Sequence, residues 1–94
     1  MKKPFKTYDS SDFLDSDTDI IEYLNAAWEE NDPAFFMKAL GNVAKAKGIS
    51  DIAEQTNLNR ESLYKALSGN RDAKLGTLIK VLSALDIHVE FKAA

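Results

Sequence analysis

Ninety-four residues suffice for one small domain with a modest core, which a second copy would help to stabilise, so a homodimer is expected. With no cysteine, a disulfide framework and a thiolate metal site are excluded, and the chain needs no oxidising compartment. The formal net charge of −3 speaks against nucleic acid only as an average: residues 1–36 hold three lysines against nine acids, whereas residues 37–94 hold nine basic residues against six acids, a division suited to two partners of opposite charge.

The expected organisation is an extended acidic arm over residues 1–16 followed by one helical domain over 17–94. The arm is aspartate-rich, with Phe5, Tyr8, Phe13 and Leu14 scattered through it, and it lacks a sustained helical period. Asp17-Thr18-Asp19 then supplies capping chemistry and negative charge for the positive end of a helix dipole. Ile20, Ile21, Leu24, Ala27 and Trp28 give a first helix its apolar stripe, ending near Glu30. Asp32 caps a second helix with Pro33 at its first position, Phe36, Leu40, Val43 and Ala44 as its buried face and Gly48 as its stop. Trp28, Phe35, Phe36 and Met37 are most simply core.

A third helix is expected from Ser50 to about Thr56 and a fourth from Asn59 to about Leu67. Their spacing matches a helix-turn-helix over about residues 50–67. Ala53 is small enough for the two helices to approach, Asn57 suits a left-handed turn, Asn59 caps the next helix, and Leu63 and Leu67 hold that helix down. Asn59, Arg60, Glu61, Tyr64 and Lys65 are left outside, a set able to reach base edges in a major groove. Each also has a plainer role: Tyr64 can pack its ring on a neighbouring helix, Glu61 can simply favour a helix N-terminus, and Ser62 can serve as a local cap. Lys45, Lys47, Ser50, Arg71 and Lys74 are candidates for phosphate contact, although surface lysines are usually just solvated. Leu75, Leu78, Ile79, Leu82 and Leu85 mark a fifth helix ending at Asp86. Residues 87–92 alternate apolar with polar, the period of a short C-terminal β-strand that would need a partner strand.

These strings resemble the addiction-module antidote family, HigA-like antitoxins with a phage-repressor-type helix-turn-helix. The resemblance rests on the acidic opening from Asp9 to Asp19, Asp32-Pro33, the stretches 40–48 and 58–69, and Leu78 to Leu85, with Arg60 to Gly69 the most specific part. It implies an all-α, five-helix, phage-repressor-like domain. The implied role is to neutralise a small ribonuclease-like toxin of the RelE/ParE type and to repress the shared promoter. Double-stranded DNA and a small basic toxin are the implied partners. Asn57 stands where the family usually has glycine, and the linker from Asn70 to Lys74 is more charged than the family pattern. On this reading Phe13, Leu14, Asp15 and Asp19 are the candidate toxin-binding residues, anionic and apolar groups set against a cationic surface. A phage-type repressor with no toxin, or a protein-interaction module using the fold as scaffold, remain open alternatives.

An enzyme is not expected. His88 is the sole histidine and has no metal-ligand spacing, and the arm's aspartates lack the glycine and terminal glutamate of a calcium loop. No cofactor, no metal, no membrane partner and a cytoplasmic location are therefore expected, since no continuous apolar run is present to insert.

Overall fold

The computed structural model describes residues 17–70 and 74–94. Among them are five helices in chain order: α1 (Asp17–Glu29), α2 (Pro33–Lys47), α3 (Ile49–Thr56), α4 (Arg60–Ala66) and α5 (Leu75–Ala84). Asp17, Thr18 and Asp19 form the first turn of α1 itself, where the two carboxylates meet the positive end of the dipole. Asn31 (φ 59°) turns the chain, Asp32 accepts the Ala34 and Phe35 N–H groups through Oδ1, and Pro33 occupies the first position of α2. Gly48 (φ 111°) ends α2 by donating to Ala44 O and Lys45 O, and its own carbonyl accepts the Ile52 N–H to begin α3. A side chain would be strained at that φ.

The core gathers Ile20, Leu24 and Ala27 from α1, Phe36, Met37, Leu40, Val43 and Ala44 from α2, Ile52 and Ala53 from α3, Leu63 and Leu67, and Val81, Leu82 and Leu85. α2 runs through its middle, with Leu40, Val43 and Ala44 wholly buried. Two polar groups inside are satisfied. Thr56 Oγ1 donates to Ile52 O at 2.8 Å, and Asn42 Nδ2 donates to the Tyr23 hydroxyl at 2.8 Å, tying α2 to α1.

The residues expected to be core are divided by the structure. Phe36 and Met37 are buried, but Trp28 is 65% and Phe35 49% exposed. The reason is angular: Ile20, Leu24 and Ala27 form the buried stripe of α1, and Trp28 falls at its margin, roughly 40° from Leu24 but 80–100° from Ile20 and Ala27. Leu75 and Ile79 likewise lie on the outer face of α5, leaving Val81, Leu82 and Leu85 to pack.

The expected C-terminal β-strand is absent: residues 74–94 contain no strand. A strand needs neighbours for its backbone groups. Here the Ile87 N–H instead returns to the Leu82 carbonyl at 2.9 Å behind Asp86 (φ 59°), closing α5. Beyond it the chain forms neither helix nor strand, with Val89 exposed and Phe91 almost fully so.

Candidate nucleic-acid interface

The α3–turn–α4 unit is built by three residues between the helices. Asn57 takes the left-handed conformation (φ 64°, ψ 25°), as its short polar side chain permits, and the Leu58 N–H reaches back to Ala53 O at 3.1 Å. Leu58 is drawn toward the core. Asn59 is extended, and its Oδ1 accepts the Ser62 N–H at 2.7 Å, capping α4. Ser62, expected as a local cap, is thus the capped residue. Ala53 is buried, and Leu63 is completely buried.

Pinned by Leu63 and Leu67, α4 turns Arg60, Glu61, Tyr64 and Lys65 to solvent. Tyr64 is 47% exposed, which leaves about half of its surface to solvent. The structure therefore places these four on one short helix, with Asn59 at its head and its amide oxygen engaged in the cap. The chain leaves α4 through a second fixed turn. Ser68 Oγ donates to Lys65 O and accepts the Asn70 N–H, and at Gly69 (φ 81°) a Cβ would stand 2.8 Å from Ala34 O. Only glycine allows that turn to lie against α2.

The phosphate candidates do not form one group. Lys45, Ser50 and Lys74 are exposed on the last turn of α2, the first turn of α3 and the residue preceding α5. Lys47 points its ammonium 3.6 Å from Asp17 Oδ1, in a groove lined by α1, α2 and the end of α5 with no residue of α4. Arg71 lies outside the described residues.

A family model described as "Probable addiction module antidote protein" matches residues 4–93. The chain belongs to this addiction module antidote family. A relative from Haemophilus influenzae, carrying the name "Uncharacterized protein", is 36% identical over 90 residues, covering 96% of this chain and 93% of its own. No solved structure matches. Membership in the antidote family implies a toxin as partner.

For the toxin side of this antidote-family chain, Phe13, Leu14 and Asp15 lie outside the described residues, and Asp19 is half-buried in the first turn of α1. No helix among the described residues is long and apolar enough to cross a membrane, and none of their His, Asp and Glu side chains gather in a group able to hold a metal ion. Two conspicuous surface residues escaped the sequence reading, Trp28 and Phe35. The signal for Trp28 was available in Asn25, a polar residue one turn before it on the same flank.

Proposed function

We propose that the chain is the antitoxin of a two-component module: it neutralises a small basic toxin of the RelE/ParE type and, as a homodimer of HigA-like, phage-repressor-like helix-turn-helix domains, represses its own promoter. The observation that carries the DNA-binding half is the α3–turn–α4 unit, in which Asn57 is left-handed, Asn59 caps, Leu63 is buried and Arg60, Glu61, Tyr64 and Lys65 are exposed. A helix held down on one face and polar on the other is what major-groove readout requires. Arg60 is suited to guanine acceptors, Glu61 to a cytosine amino group, and Tyr64 and Lys65 to base edges or phosphates; Asn59, with one lone pair of its oxygen engaged in the cap, offers chiefly its amide N–H groups. Lys45, Ser50, Arg71 and Lys74 serve as phosphate contacts, and Lys47 joins them only by leaving Asp17. The toxin meets the acidic N-terminal portion, through Phe13, Leu14, Asp15 and Asp19, which leaves α4 available to DNA.

The test is a salt-controlled titration of the protein with its own promoter. Half-sites about 10 base pairs apart are expected for a symmetric dimer. Arg60→Ala should weaken specific binding by about 1–3 kcal/mol with the fold intact. Equal promoter affinity of Arg60→Ala and wild type would remove Arg60 from the interface.

A further inference from the structure

Beside its core stripe, α1 carries two large apolar side chains that the fold covers only in part. Ile21 and Trp28 are seven residues apart, hence on the same side of the helix, and are 42% and 65% exposed. Trp28 meets Phe36 edge-on, ring centroids 5.1 Å apart at 90°, so one margin of the indole is held while most of the ring faces solvent. Across the turn, Phe35 stands half-exposed in the first turn of α2. The charges flanking this corner are mostly acidic: Glu22, Glu29, Glu30 and Asp32 are all exposed, and the nearest cations are Lys38, one turn beyond Phe35 on α2, and Lys47, which lines the same groove as Ile21.

We infer that the α1–α2 corner is a docking surface for the toxin, whose complementary face is an apolar cleft flanked by lysines or arginines. The inference rests on the reading of the chain as an antitoxin and adds a second contact to the arm, at the other end of a helix about 20 Å long. The chemistry selects the occupant. A partly immobilised tryptophan loses little freedom on binding and belongs to the residue types that dominate interface energies. The carboxylates steer a cationic partner toward it and repel nucleic acid. A second copy of this chain is disfavoured by the same charges, since a two-fold contact at this corner would set the acids of one chain against those of the other.

The experiment is calorimetric and kinetic titration of the full chain with the purified toxin encoded beside it. Trp28→Ala is expected to weaken binding about tenfold or more. Reversing the rim with Glu29→Lys and Glu30→Lys should slow association about tenfold at low salt, the difference shrinking as salt is added. Because Trp28 touches Phe36, Phe35→Ala and the rim reversal carry the test should Trp28→Ala unfold. Promoter affinity should stay at the wild-type value in each folded variant. Wild-type toxin affinity in the Phe35→Ala and rim-reversed proteins would overturn the inference while leaving the antitoxin reading in place. Dissociation of a dimer by these substitutions, with toxin affinity retained, would also overturn it and assign the corner to self-association. A wild-type chain that does not bind the toxin would remove the antitoxin reading and this inference together.

Discussion

Gly41 lies inside α2, where alanine is ordinarily the better helix former by about 0.5–1 kcal/mol. A Cβ placed there would stand 2.9 Å from the Leu67 carbonyl oxygen and 3.2 Å from Leu67 Cβ. Unstrained non-bonded carbon contacts lie at about 3.5–4.0 Å, so the end of α4 would have to retreat from α2 by several tenths of an ångström. Backbone is a poor candidate for that movement, and overpacking of this kind costs about 1–3 kcal/mol. The internal control is Gly76, in the first turn of α5, where a Cβ meets nothing within 4 Å. Gly76→Ala should therefore raise the thermal midpoint, and Gly41→Ala should lower it. Since the helix preference contributes in the same direction to both, the gap between them reports the clash. At about 4–8 °C per kcal/mol for a chain of this size, that gap should be roughly 5–20 °C. Displaced at Leu67, α4 should also present Tyr64 and Lys65 out of register, weakening promoter binding even in the folded fraction. Differential scanning calorimetry of the two variants beside wild type decides it. If Gly41→Ala rises in midpoint as much as Gly76→Ala, the close seat of Leu67 on α2 is wrong.

Asn59→Ala removes the side chain that caps α4, and urea unfolding should show a loss of about 0.5–2 kcal/mol; Asn59→Asp, which keeps an acceptor oxygen, should recover most of it. Truncation after Ile87 should leave the midpoint of unfolding within about 3 °C of wild type, because Val89 and Phe91 bury little, whereas truncation before Ile87 also removes the N–H bonded to Leu82 O and should cost more. Leu63→Ala, at a completely buried site, should destabilise by about 2–5 kcal/mol in chemical denaturation and abolish promoter binding with it.

Most of the helical architecture was legible because its boundaries are chemical. Asp32 with Pro33, Gly48, Asn57 with Asn59, and Asp86 each act through their own backbone or side-chain groups, and each acts where the sequence placed it, within a residue or so. The exposed face of α4 was legible for the same reason, since Leu63 and Leu67 fix which side is buried. What escaped depends on neighbours. Trp28 and Phe35 are apolar by type, but their burial was decided by how much of α1 and α2 the opposing helix covers. The alternation from Ile87 to Lys92 is strand-like, yet strand formation needs a second strand, and none lies among the described residues. Lys47 shows the same dependence, since its role as a cation was plain but the groove it faces was set by the packing of α1 on α2.

Gly48 leaves α2 and α3 without a loop between them: its N–H belongs to one helix and its carbonyl to the other. Opening α3 away from the rest of the molecule therefore disturbs the end of the most buried helix, so the two are expected to exchange their amide hydrogens as one cooperative unit. α4, attached to α3 by three residues and to α2 at Leu67 and Gly69, is carried by that unit. The surface proposed to meet DNA thus borrows its rigidity from the centre of the molecule, and its local opening free energy should approach that of global unfolding, unlike the tail beyond Ile87.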